Sequence, residues 1–167
     1  MIQVVQEIPW WTLEDQIRHI PLLQPRDGKL VFPYLHAHIA LEEISYDEVR
    51  PTSLYALRDN LSFQSSLAQD LAPHHDPLAL KGALRLLNEV GEEAGLIPPI
   101  VEETAEDGKY ILDGLHRTLV GRLAGRTHFT AIHITNFRSD CPAAVLPNGW
   151  DEVKLYDNVP GDPTLKR

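Results

Sequence analysis

The chain has 167 residues, enough for one domain with a substantial core, and its 43% hydrophobic and 23% charged content is that of an ordinary globular protein. Against 15 Lys and Arg stand 24 Asp and Glu, a formal net charge of −9, which argues against nucleic-acid binding through a basic face. A single cysteine, Cys141, excludes an internal disulfide and a multi-cysteine zinc site, and no stretch approaches a membrane span or a secretory leader, so a cytoplasmic location without membrane attachment is expected.

Residues 1–41 read as an extension of mixed character. Ile2 to Val5 suits a strand, Pro9-Trp10-Trp11 is an aromatic pair, and Thr12 begins a short helix to Arg18, with Asp15 approximating a capping box. Pro21, Pro25 and Asp27-Gly28 break the chain after that helix; Lys29 to Ile39 is either a strand pair or a loop broken at Pro33. Glu42 to Pro51 reads as a strand ending at the proline. Ser53 to Leu71 has room for one or two short helices, and Pro73 to Pro77 is a loop.

Leu78 to Ala94 carries the clearest helical period. Leu80, Ala83, Leu84, Leu87 and Val90 share a face, Asp76-Pro77 suits the start and Gly95 the stop. Ile97 to Glu102 is extended and pairs with Lys109 to Leu112 across the Asp107-Gly108 turn as a hairpin. Phe129 to Ile134 alternates as a strand with apolar residues on both faces. The tail from Asp140 is rich in turn formers, with Trp150 and Tyr156 as anchors against the body.

Residues 110–125 form the most informative stretch. Tyr110 to Leu112 is a strand; Leu115, Leu119, Val120, Leu123 and Ala124 then fall on one helical face, and Gly125 occupies a C′ position. Between them lie Asp113-Gly114, with His116, Arg117 and Thr118 in the first helical turn. That turn has free N–H groups and a partial positive charge, so an imidazole and a guanidinium there become favourable once an anion such as phosphate is bound. Gly114 permits close backbone approach. The alternative is a tight turn with solvated side chains, in which Asp113 merely caps the helix.

Other histidines invite metal readings. His36 and His38 would lie on one side of a strand, and His74-His75-Asp76 is a dense cluster, but neither brings a third ligand, and the simpler readings are a strand-face pair and a loop. His133 points either into the site or into the core.

The order of elements, with Arg50-Pro51, Gly95-Leu-Ile-Pro-Pro-Ile-Val101 and Leu112-Asp-Gly-Leu-His-Arg117, resembles the ParB/sulfiredoxin superfamily over roughly residues 42–135. The resemblance implies an α+β domain with a small mixed sheet, an insertion at 53–76, and a phosphate-binding strand-turn-helix at 110–125, flanked by the 1–41 extension and a 136–167 tail packed on the core. Sulfiredoxins place a reactive cysteine where Leu115 stands, so sulfur-acid reduction is not implied. Chromosome-partitioning ParB proteins have Gly-Glu-Arg-Arg and a following helix-turn-helix domain; the sequence after Gly114-Leu-His-Arg117 is expected to be too short for one. Closest in motif is the free-serine kinase branch, asp-gly-his-his-arg, of which four positions match and Leu115 replaces the first histidine. The DGQHR proteins associated with DNA modification share the same four but are usually larger.

What the resemblance implies is a nucleotide (ATP or ADP, with CTP as a further option) whose phosphates lie on Gly114, Leu115, His116, Arg117 and Thr118. Arg117 would grip phosphate oxygens, His116 would donate to the transferring group, and Thr118 would add its hydroxyl and N–H. Asp113 is the natural base or magnesium ligand. Glu48 and Asp59 are the carboxylates available after the first strand of the resembling region, Glu48 being taken as a catalytic candidate. Lys81 and Arg85 border the nucleotide or form a solvated helix face. The expected function is a magnesium-dependent phosphotransferase acting on a small hydroxyl-bearing metabolite; the rival is a non-catalytic nucleotide-binding module of ParB type acting on a protein or DNA partner. The residues outside the shared framework, 1–41 and 53–76, are expected to shape the pocket.

Overall fold

The computed structural model describes residues 2–23, 27–138 and 148–161. Cys141 lies outside them. The elements run β1 (Gln3–Pro9), α1 (Trp10–Arg18), β2 (Leu22–Leu23), β3 (Leu30–Val31), β4 (His38–Ser45), β5 (Val49–Pro51), β6 (Tyr55–Leu57) and α2 (Arg58–Leu71). Next in the chain are β7 (Gly82–Leu87), β8 (Glu93–Leu96), β9 (Ile100–Thr104), β10 (Gly108–Asp113), α3 (Leu115–Leu123), β11 (His128–Thr135), a 3-10 turn at Trp150–Glu152 and β12 (Lys154–Tyr156).

The central sheet is mixed, in the order β4-β11-β9-β10-β5. Its β11–β4 and β10–β9 pairs are antiparallel, and its β11–β9 and β10–β5 pairs are parallel. β11 is covered on both faces by separate core clusters, which is why Phe129 to Ile134 carries apolar residues on alternate sides. Phe129 and Ala131 join Ile44, Val101, Ile111 and Leu119 of α3 in one core cluster. Ile132 and Ile134 join Ile39, Ile100 and the Leu13 and Ile17 face of α1 in another. The fold is therefore α+β, with α3 on one side of the sheet and α1 on the other. Trp150 closes the first cluster, its indole N–H donating to the carbonyls of Tyr46 at 3.2 Å and Val49 at 3.1 Å.

The helix expected over 78–94 is not formed. Residues 82–96 are a hairpin, β7–β8, that extends β1 into a three-stranded antiparallel sheet. The same leucines satisfy both periods, since Leu84 and Leu86 alternate onto Leu67 and Leu71 of α2 while Ala83 faces the opposite way into the α1 cluster. Two features, one local and one tertiary, decide for the hairpin. Asn88 ties the turn by accepting from the Val90 and Glu92 amides at 3.1 and 2.8 Å, and Gly91 takes φ 84°. Gly82 is also pressed against the Ile8 carbonyl, where a Cβ would sit 2.2 Å from the oxygen. Asp76 caps only a turn, accepting from the Leu78 amide at 2.9 Å.

Elsewhere the expected elements need smaller adjustments. The 42–51 strand is split into β4 and β5 by a turn in which the Glu48 amide donates to the Ser45 carbonyl at 3.1 Å. The 29–39 stretch holds β3 and a turn leading into β4. The 53–76 stretch contains β6 and one 14-residue helix, α2, which packs against α3. Among the described residues no helix is long and apolar enough to cross a membrane.

Candidate functional site

The site begins where β10 ends. Gly114 is the N-cap of α3 with φ 91° and ψ 17°, a left-handed conformation that turns the chain sharply from strand to helix. A Cβ on Gly114 would lie 3.0 Å from the Pro99 Cβ and 3.1 Å from its Cα, so glycine is needed both for φ and for space. No side chain caps the helix. Asp113 is exposed and the first three N–H groups of α3 have no intrahelical acceptor.

Facing this turn is a cavity of about 450 Å³. Asp113 to Arg117 form one side; Thr52, Ser53, Tyr55, Leu57, Asn60 and Gln64 form the other, with Leu96 and Leu112 at the margin. The 53–76 stretch thus supplies a wall of the cavity, through β6 and the first turns of α2. None of the lining residues comes from the 1–41 extension. Two wall hydroxyls are already used: Thr52 donates to the Ile111 carbonyl at 2.7 Å and Ser53 to that of Tyr55 at 2.8 Å.

Arg117 is the outstanding residue. It is 8% exposed, and its Nε and Nη1 are buried without a hydrogen-bond partner. Burial lowers its pKa from the ordinary arginine range to about 10, offset in part by Asp113. A buried cation with unused donors is costly on its own and is relieved by an anion. Among the described residues the one other buried side-chain atom without a partner is Gln64 Oε1, and Gln64 lines the same cavity. Nothing in the sequence pattern singles out Gln64.

His116 is held differently. Its Nε2 accepts the Leu57 amide proton at 3.2 Å, joining α3 to the start of α2. That bond requires an unprotonated Nε2, so the neutral ring carries its proton on Nδ1. Burial lowers its pKa and favours the same neutral state.

The family model described as the ParB CE domain matches residues 12–154. The chain belongs to this family. The matched region is wider than 42–135 and takes in most of α1 and the Trp150 turn. A crystal structure of protein Atu1540 from Agrobacterium tumefaciens is similar with a TM-score of 0.38 and 14% identity. That similarity covers 57% of this chain and 39% of the other. No curated protein matches the chain.

Other residues expected at the site of this ParB CE domain are placed less simply. Thr118 is fully buried, its hydroxyl donating back to the Gly114 and Leu115 carbonyls at 3.1 and 2.9 Å and its amide to Gly114 at 3.0 Å. Both groups assigned to phosphate by resemblance are thus turned into the helix, because a wholly buried hydroxyl must find a local acceptor. Leu115 packs its side chain on the core and can offer only backbone. Glu48 sits in the β4–β5 turn, paired with Lys109 at 3.2 Å, and is not a lining residue; nor is Asp59, exposed in the first turn of α2. Lys81 borders a separate cleft beside β1, His74 and His75, since 78–94 is not a helix, and Arg85 pairs with Glu93 across the β7–β8 hairpin.

The apolar stripe of α3 is also rotated. Leu123 is 68% exposed, whereas Arg117, Thr118, Leu119 and Gly121 are buried. Gly121 allows Tyr46 to approach, and the Tyr46 hydroxyl donates to the Thr118 carbonyl at 2.7 Å. His133 is buried away from the cavity, its Nδ1 2.9 Å from Glu42 and its Nε2 2.7 Å from Glu103, and bridges three neighbouring strands. His36 and His38 are both exposed, and among the described residues no three His, Cys, Asp or Glu side chains are grouped to hold a metal.

Proposed function

We propose that this domain binds a nucleotide of the ATP or ADP type with its phosphates against Arg117, and moves one phosphoryl group to a small hydroxyl-bearing metabolite such as an amino acid. The observation that carries the reading is the buried Arg117 guanidinium with two unpartnered donors in a cavity at the start of α3. Two charge-assisted hydrogen bonds from the guanidinium fork fit a phosphate, and the unused N–H groups of the first turn reinforce them. His116 has Nδ1–H left to donate to the group in transit.

Asp113 is the carboxylate on the cavity wall among the described residues. A single hard oxygen ligand suits magnesium, which completes its shell from phosphate oxygens and water. Asp113 would hold the ion, and the ion when bound neutralises phosphate charge. In the transfer, the acceptor oxygen forms a bond to phosphorus as the bond to the nucleotide oxygen breaks. The hydroxyl proton passes to the Asp113 carboxylate, and the electron pair of the broken bond stays on the nucleotide product. Arg117 gathers the charge spread over the transferred group.

The experiment is a thermal-shift panel of nucleoside di- and triphosphates with and without magnesium, followed by phosphorus NMR with amino acids, sugars and nucleosides. Stabilisation with a new phosphomonoester resonance supports the phosphotransferase. Stabilisation without turnover across the acceptors assigns the domain as a non-catalytic nucleotide-binding module. The absence of both stabilisation and turnover would sink the phosphate site itself.

A further inference from the structure

Arg117 is only part of what the cavity leaves unsatisfied. The Oε1 atom of Gln64, in the second turn of α2, is buried without a hydrogen-bond partner and lines the same cavity. An amide oxygen buried without a donor is costly, and folded proteins rarely leave one unpaired. The two needs are of opposite kind. Arg117 has donors and needs an acceptor, whereas Gln64 Oε1 is an acceptor and needs a donor. An ionised phosphate carries only acceptor oxygens, so the anion that relieves Arg117 cannot also satisfy Gln64. One occupant meets both needs if it carries a hydrogen-bond donor away from its phosphates.

The two walls separate the parts of that occupant. Phosphates on Arg117 and the first turn of α3, with the acceptor hydroxyl at Asp113, occupy the Asp113 to Arg117 side. Gln64 stands on the facing wall, held against α3 by the bond from the Leu57 amide to His116 and by the packing of α2 on α3. The end of a nucleotide remote from its phosphates is its base, and Leu57, Leu96, Leu112 and Leu115 give the cavity apolar surface for a flat ring. A glutamine amide matches a base edge on which an amino group stands beside an unprotonated ring nitrogen. Its oxygen accepts from the amino group, and its nitrogen donates to the ring.

Resting on the nucleotide reading above, we infer that Gln64 determines which base is taken: its Oε1 accepts a hydrogen bond from the exocyclic amino group of adenine or cytosine. Hypoxanthine and uracil carry a keto oxygen at that position. Either would set acceptor against acceptor and leave the buried Gln64 oxygen unpaired, which is the costlier kind of mismatch.

The test is titration calorimetry on the full chain with magnesium, pairing ATP with ITP and CTP with UTP, and adding inorganic tripolyphosphate as a probe without a base. In one of the two pairs the amino nucleotide is expected to bind roughly tenfold or more tighter than its keto partner, and that pair identifies the base. Gln64→Leu should bring the amino nucleotide down to the affinity of its keto partner, while tripolyphosphate binding stays within about twofold. Gln64→Glu keeps an acceptor oxygen and should keep the amino preference, even as its charge weakens every ligand. The preference is a ratio read within one protein, which a general loss of stability does not imitate. Equal binding within both pairs, a keto preference, or an amino preference that survives in Gln64→Leu overturns the inference, and tripolyphosphate binding in the same series leaves the phosphate site standing. No binding of any probe, tripolyphosphate included, overturns both.

Discussion

Replacing Arg117 by Met separates a binding role from a structural one, because the two predict opposite signs for stability. In the ligand-free fold the guanidinium is buried and its Nε and Nη1 lack partners. Its pKa is lowered from the ordinary arginine range to about 10, chiefly by burial. The unfolded chain binds this proton more tightly, so the charged group opposes folding at neutral pH by about 3 kcal/mol. That penalty is fully present below about pH 10 and fades as pH rises further. Met keeps much of the apolar volume and removes the charge, so the variant should melt as high as the parent or up to about 10 °C higher. Binding moves the other way. Hydrogen bonds to a charged group contribute about 1.5–3 kcal/mol each, and two are lost, so nucleotide affinity should fall roughly 10²- to 10⁴-fold. Differential scanning calorimetry without ligand and titration calorimetry with nucleotide and magnesium measure the two effects. A variant that melts well below the parent yet binds nucleotide as tightly would refute the assignment of Arg117 to an anion.

Four further outcomes test neighbouring positions. Asp113→Asn should abolish phosphoryl transfer while lowering nucleotide affinity less than Arg117→Met does; retained turnover would show that another group takes the hydroxyl proton. Thr118→Val should leave nucleotide affinity within about twofold, because its hydroxyl is committed to the Gly114 and Leu115 carbonyls, and a tenfold loss by calorimetry would contradict that geometry. Gly114→Ala should lower stability by about 2–4 kcal/mol in urea melts, from a positive φ and crowding against Pro99. The His116 pKa is lowered by burial, so its contribution is complete above about pH 6.5, the unfolded value, and is lost as pH falls toward the folded one. Urea midpoints between pH 7.5 and 5 should therefore fall less in His116→Asn than in the parent, and equal slopes would count against a buried neutral ring.

Much of this was legible in the chain itself. The hairpin β9–β10, the glycine turn and the Gly125 stop are local events, written in Asp107-Gly108, Gly114 and Gly125, each at positive φ or in a turn that neighbouring residues specify. Trp150 announced itself as an anchor because a large aromatic in a polar tail has few other places to go. The 78–94 stretch misled because Leu80, Ala83, Leu84 and Leu87 fit a period of 3.6, while Leu84 and Leu86 fit a period of 2. The Asn88 turn and the pairing of β1, at the start of the chain, with β7 together decide between them.

At the site the division is similar. From Asp113 to Arg117 the sequence by itself determined a strand, a left-handed glycine and a helix start carrying unusual positive charge, since all of these depend on backbone conformation within a few residues. It did not determine which of those side chains face a ligand. Tertiary packing turned the Thr118 hydroxyl inward, spent the His116 Nε2 on Leu57, left Glu48 and Lys81 outside the cavity and brought α2 to close it. The burial that leaves Arg117 without partners is likewise a property of the assembled walls. A local pattern sets where the chain bends; desolvation and hydrogen-bond accounting, which decide what the bend can bind, are summed over residues far apart in the chain.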